Sequence, residues 1–384
     1  MVTGIITFFI FIILLSVLVI IHEWGHMFVA RKRGVVVKTF AVGFGKKIYS
    51  RKKNGIEYKI NLLPFGGYVS LLGDDDFNST EEGSLPVASA LSKFLITVAG
   101  AFMNFLLALV FLFIFLVVVN FKFYYSNIIP NFNFAFGTNI NNVIFSAVPK
   151  DTTSSALKDK LTSNYMLLSI DGEKINNAIQ VEKIVDHNKG RLLTFRYQVV
   201  KSLNLFGVQL GGVQEKTLID RKIYPKFSGP VGISLLQISH IEFPTTISKI
   251  SSIVTFPYDL MQLTFTGLGY LIHQAVIHNN SSIITTQVAG PVGIYMYTNI
   301  LFQSDGVAGL LFIFGIISLS LSIMNLLPIP PLDGFYVLLA ILEGIFKFKP
   351  NAKFLYYVSV IGITFFIILM VLVTLNDLVN FKII

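Results

Sequence analysis

The residues best suited to chemistry are His22-Glu23-Trp24-Gly25-His26, at the inner end of a stretch, Gly4 to Ile21, that has no charged residue. On a helix, residues four apart share a face, so His22 and His26 can offer two nitrogens to one Zn2+ while Glu23 points at the metal's water. Catalytic zinc usually takes three protein ligands and keeps one open position. The chain has no cysteine, so the third ligand must be His, Asp or Glu. Asp333 stands out at the end of Asn325-Leu326-Leu327-Pro328-Ile329-Pro330-Pro331-Leu332-Asp333-Gly334. Three prolines forbid a regular helix there, and irregular backbone at membrane depth survives only when buried in protein or lining a cavity. A non-helical turn is therefore expected to present Asp333 to the metal, with Asn325 free to hydrogen-bond an unwound peptide. His187, His240, His273 and His278 have no partner at ligand spacing and read as surface or packing residues.

The elements that position these groups are membrane helices. Hydrophobic residues make up 53% of the chain and charged ones only 13%, against about 25% charged in an average soluble domain. The net charge of +9 does not point to nucleic acid. Ten of the thirty Lys and Arg fall between Arg31 and Lys59, just after the first apolar stretch, as the positive-inside rule expects of a cytoplasmic segment. No basic residue precedes Arg31, so the first stretch reads as a retained helix with its N-terminus outside rather than as a cleaved signal. Further spans are expected at Phe94 to Val119, Val307 to Leu327 and Tyr356 to Leu375, which puts both termini on the extracytoplasmic side of a multi-pass protein.

Residues Ile140 to Tyr224 mix β-prone runs (Val143 to Val148, Leu192 to Val200, Lys216 to Tyr224) with turn signals at Asp171-Gly172 and Gly211-Gly212, around one helix near Ser154 to Leu161. This suits a small extracytoplasmic domain. The apolar segment Thr246 to Ile272 carries Lys249, Pro257 and Asp259. Were it a fifth span, Asp333 would land about 30 Å from His22 across the hydrocarbon core, so a helix lying on the membrane surface is expected. Gly229-Pro230-Val231-Gly232-Ile233 recurs as Gly290-Pro291-Val292-Gly293-Ile294, read as two similar turns into amphipathic helices. The acidic run Asp74 to Asp76 reads as a solvated cytoplasmic loop.

Beyond the zinc motif, Val42-Gly43-Phe44-Gly45-Lys46, Leu63-Pro64-Phe65-Gly66-Gly67-Tyr68-Val69 and the Asn325 to Gly334 segment resemble the bacterial site-2 protease family, the intramembrane zinc metalloproteases. The resemblance implies one Zn2+ held by His22, His26 and Asp333, with Glu23 as general base. It places Gly43, Gly45, Gly66 and Gly67 in a membrane-associated β-hairpin whose edge pairs with unwound substrate, and Asn325 in a substrate clamp. Val148-Pro149, Ser155-Ala156-Leu157 and Ile170-Asp171-Gly172-Glu173-Lys174-Ile175 resemble a PDZ module.

The fold class expected is thus a polytopic α-helical membrane protein of about four spans with that hairpin and one PDZ-like α+β domain. Its divisions run from a first span with the zinc motif (1–30) through a cytoplasmic loop and hairpin (31–92), a second span (93–120), the PDZ-like domain (121–228), amphipathic surface helices (229–305), the third span with the Asp-bearing turn (306–335), to a cytoplasmic loop and fourth span (336–384). The family cuts single-span helices within the bilayer of the bacterial inner membrane, usually after a first cut by another protease, as with anti-sigma factors or remnant signal peptides. A catalytically inactive regulator that binds membrane segments is the alternative. A metal permease would need polar residues in several spans, whereas Asn104 is the clear side-chain amide of the second and the fourth is almost wholly apolar.

Overall fold

The computed structural model describes residues 2–74, 79–126, 132–147, 165–176, 178–205, 208–223, 234–277, 289–348 and 350–383. In chain order the elements are α1 (Val2–Lys32), β1 (Val37–Lys53), β2 (Ile56–Leu71), α2 (Ala90–Val118), β3 (Lys122–Ser126), β4 (Thr138–Ala147), β5 (Tyr165–Ile170), β6 (Glu173–Lys174), α3 (Ala178–His187), β7 (Leu193–Leu205), β8 (Val208–Ile223), β9 (Ser234–Glu242), α4 (Thr246–Ile277), α5 (Pro291–Asp305), α6 (Val307–Asn325), α7 (Asp333–Phe346) and α8 (Ala352–Asn380). Among the described residues, four helices are long and apolar enough to cross a membrane: Gly4–Lys32, Ala90–Val118, Val307–Asn325 and Ala352–Asn380. At 1.5 Å per residue, a 29-residue helix reaches about 44 Å, more than the hydrocarbon core requires.

The chain forms two compact units. The first comprises residues 1–112, 289–299 and 310–384. Here α1 ends with Arg31 and Lys32 in its last turn, where cations suit the helix dipole. Gly34, at φ 79°, then turns the chain, with the Val35 N–H bonded to the Ala30 carbonyl and the Gly34 N–H to that of Arg31. The turn delivers β1 and β2, which form more than a plain hairpin. Thr39 to Val42 have partners on both flanks, Ser70 to Gly67 on one and Glu57 to Ile60 on the other, while Tyr49 to Lys53 pair with Ile60 to Ile56. The paired strands thus fold back into a small layer whose outer segment is 67–71. Met27, Ala30, Val37, Phe40, Leu71 and Ile96 form a buried cluster that fastens this layer to α1 and α2.

In the second unit, residues 113–288 and 300–309, a sheet runs β3-β9-β4-β5-β7-β8 with β6 beside β5. Its core has two parts. Phe115, Phe123, Phe134 and Phe243 surround Phe256 at ring separations of 5.2 to 6.5 Å, and Leu167, Ile170, Val181, Val185, Leu193 and Phe195 are buried elsewhere in the sheet and on α3. The 32-residue helix α4 buries Ser248, Ser252, Phe256, Asp259 and Leu260. Ile247, Ile250, Val254, Tyr258, Phe265, Leu268, Ile272 and Val276, at helical spacings of three, four or seven residues, form an exposed apolar stripe along it.

Several sequence expectations need correction. Residues 229–305 are not all surface helices, because β9 lies between β3 and β4 in the sheet. The second repeat copy opens a helix, α5. Gly211-Gly212 sits inside β8 near a register shift at Ser202, so it bends a strand rather than ending one. The segment after residue 335 is not a loop but α7, and Asp333 is its first residue rather than part of an open turn. The helix expected near Ser154 to Leu161, the first repeat copy and Asp75-Asp76 lie outside the described residues. The helix of this module that is described, α3, has Val181 and Val185 buried one turn apart.

Candidate metal centre

One helix face supplies two of the groups. His22 and His26 stand one turn apart on α1 with ring centroids 4.8 Å apart and nearly perpendicular planes. The irregular segment after α6 brings Asp333 to the same point. Gly334 makes this possible, since a Cβ there would strike the backbone of Leu326 and Leu327. His22 Nε2 and His26 Nε2 are 3.2 and 3.3 Å from Asp333 Oδ2 and 3.1 Å from each other. With zinc–ligand bonds of about 2.0–2.1 Å, two ligands of a tetrahedral ion lie about 3.3–3.4 Å apart. The three separations fit that triangle.

Polar bookkeeping points the same way. His26 Nδ1 lies 2.7 Å from the Ile96 carbonyl, to which it must donate, so in the neutral ring the Nε2 lone pair faces the centre. Asp333 Oδ2 is buried with no hydrogen-bond partner among the described residues. Two imidazole lone pairs and an unsatisfied carboxylate oxygen aimed at one point are costly unless a cation joins them. The donor set of two nitrogens and one oxygen suits Zn2+.

Glu23 lies beside this triangle and accepts the Val69 backbone N–H at 2.9 Å through Oε2. Both line a cavity of about 760 Å3 with His22, His26, Asp74 and Asp333. Of the glycines assigned to substrate by sequence, Gly67 allows a close packing between the β layer and α1, since a Cβ there would come within 2.8 Å of the Ala41 carbonyl and 3.7 Å of Glu23 Cγ. Gly66 instead makes room for the Phe44 ring, and Gly43 for the Leu63 carbonyl, with its own carbonyl bound by Asn61 Nδ2. None of Gly43, Gly45, Gly66, Gly67 and Asn325 lines the cavity, and Asn325 closes α6. Among the other histidines, His187 bonds the Lys183 carbonyl of its own helix.

Two neighbours were not assigned from sequence. Gly100 on α2 is the floor under the imidazoles, because a Cβ there would collide with His26 Nε2 and the His22 ring. Asn104, one turn further, places its side-chain amide 3.3 Å from His22 Nδ1, and its Oδ1 is buried without a partner among the described residues. Turning that amide over would give both groups a partner, the His22 Nδ1–H donating to Oδ1. An amide inside a span was the available signal. Lys93 and Glu343, also on the cavity wall, join α2 to α7 through contacts of 2.9 and 2.7 Å.

Residues 10–369 match Peptidase family M50. A protein of Clostridium perfringens named as a zinc metalloprotease is 29% identical over 95% of this chain and 96% of its own. One so named from Campylobacter jejuni is 29% identical over 96% and 92%, and one from Staphylococcus aureus 27% identical over 97% and 98%.

Proposed function

Since the chain belongs to Peptidase family M50, we propose that it is an intramembrane endopeptidase of the site-2 type, with one zinc ion held by His22, His26 and Asp333 and Glu23 as general base. The observation that carries this is the meeting of three ligand atoms within 4.8 Å of one another at the end of an apolar helix, with Glu23 beside them. When bound, zinc supplies Lewis acidity toward water and a peptide carbonyl. The protein's own part is proton transfer and positioning. Glu23 takes a proton from the attacking water and returns it to the leaving amine, while Nδ1 contacts to Ile96 and Asn104 hold the two rings in place.

The substrate is a single-span helix, already shortened by another protease and embedded in the same bilayer. A helix hides its carbonyls in its own hydrogen bonds, so it must unwind to be cut, and the outer segment 67–71 beside Glu23 offers replacement partners by strand addition. Anti-sigma factors and remnant signal peptides both meet this description. The protein sits in the bacterial cytoplasmic membrane with both termini outside, as the cluster of basic residues after α1 supports. The α4 stripe suits a helix lying on the lipid surface, and the sheet of the second unit is the extracytoplasmic, PDZ-like part.

Glu23→Gln tests the assignment, because it keeps the shape and removes the proton acceptor. Cleavage of a model single-span substrate should fall at least 1,000-fold or about 4 kcal/mol in barrier, with zinc content unchanged. Undiminished turnover in that variant rules the protease function out.

A further inference from the structure

The outer segment of the β layer is not free in this structure. Among the described residues, 67–71 pair only with the strand through residues 37–42, and in such a ladder alternate residues turn their N–H groups away from the partner. Val69 and Leu71 are two such residues. The Val69 N–H donates to Glu23 Oε2, and the Leu71 N–H donates to Asp74 Oδ2. Both carboxylates line the cavity of the metal centre. Unpaired edge N–H groups are what an incoming strand binds, and here two successive outward ones are already taken by acidic side chains.

Resting on the endopeptidase function above, we propose that Asp74 is a positioning residue that caps the substrate-pairing edge, with Glu23 as the second cap. Substrate pairing displaces both, so that the catalytic carboxylate is released only when a peptide lies along it. The spacing fits. An extended peptide presents outward carbonyls every second residue, about 6.8 Å apart, the same repeat that separates Val69 from Leu71. Its carbonyls replace Asp74 and Glu23 as acceptors, and no backbone N–H is left unpaired at any stage. A folded helix cannot make this exchange, since its carbonyls are already occupied, so the caps favour unwound segments over intact ones.

Asp74 also belongs to a local turn, in which its N–H reaches the Leu71 carbonyl at 3.3 Å. The two roles predict opposite signs. Loss of a turn brace weakens substrate binding, whereas loss of a competing cap tightens it. The test measures the affinity of a fluorescent single-span peptide with a central Gly-Pro for the metal-stripped full-length protein in detergent. Asp74→Ala should bind about fivefold tighter than wild type, the worth of one ordinary hydrogen bond. Asp74→Asn, whose amide oxygen still accepts, should stay within about twofold. In the zinc-loaded enzyme the same factor should appear as a lower KM with kcat unchanged. Equal or weaker binding by Asp74→Ala at an unchanged melting temperature overturns the cap. Should that variant fold poorly, Asp74→Thr, a weaker acceptor, must bind between Asp74→Asn and the fivefold limit, and no tightening overturns the proposal equally. Cleavage by zinc-loaded wild type is read separately. Its absence counts against the endopeptidase function, while the binding measurements judge the cap alone.

Discussion

At the scale of single residues, the centre depends on what is missing as much as on what is present. His22 and His26 fit only because position 100 has no side chain, and a methyl group there would occupy the space of both rings. Rotation of the imidazoles would relieve the clash, but only by breaking the 2.7 Å contact between His26 Nδ1 and Ile96 and the 3.3 Å one between His22 Nδ1 and Asn104. Loss of such supporting contacts typically costs about 10–100-fold in metal affinity or activity. Gly100→Ala should therefore weaken zinc binding by that factor in a chelator competition, while far-ultraviolet circular dichroism shows the helices intact. Full zinc affinity in that variant would show that the rings have a second way to pack.

At the scale of elements, buried carboxylates tie helices to backbone. Asp377 near the end of α8 accepts the Gly290 and Gly293 N–H groups at 3.0 and 2.7 Å, capping the first turn of α5. Both glycines are needed for so close an approach, because a Cβ at either would press on that carboxylate. This accounts physically for the second copy of the repeat. Asp259 on α4 plays a similar part in the other unit, accepting the Ala135 N–H at 2.8 Å. Burial pushes its carboxyl up to about 6, although the Ala135 N–H opposes the shift. The folded form then holds a proton that the unfolded form, with the ordinary value of 3.8, has released. Stability from this group is thus full below about pH 4 and declines as pH rises to about 6. The melting temperature of the full-length protein in detergent should show an extra downward slope with pH across that window. Asp259→Asn, which stays neutral and still accepts the bond, should remove the extra slope.

At the scale of the whole molecule, the metal centre joins parts of the chain more than 300 residues apart, since His22 and His26 lie on α1 and Asp333 opens α7. A ligand that binds only the folded arrangement stabilises it by about 3–4 kcal/mol at 100 to 1,000 times its dissociation constant. Stripping zinc with a chelator should lower the melting temperature of the full-length protein in detergent by several degrees, and zinc but not magnesium should restore it. Asp333→Ala should abolish most of the zinc-dependent difference. An identical melting temperature with and without zinc would show that no metal bridges α1 and α7.

The amino-acid sequence alone determined the membrane class, the four apolar helices and the candidate groups of the centre. Each is written in local signals: uninterrupted apolar runs, two histidines at helical spacing, and a carboxylate where three prolines break a helix. It also carried a hint of Asn104, as a lone amide in an apolar span. What only the tertiary structure decided is which of these groups meet, and with what spacing. Gly100 and Gly67 look like any glycine until the side chains that need their space are in place, and Asp74 looked like part of a solvated loop until Leu71 was seen to donate to it. The strand at residues 234–242 was hidden for the same reason. Its neighbours β3 and β4 lie more than eighty residues earlier, and pairing between distant segments leaves no periodic trace in either of them.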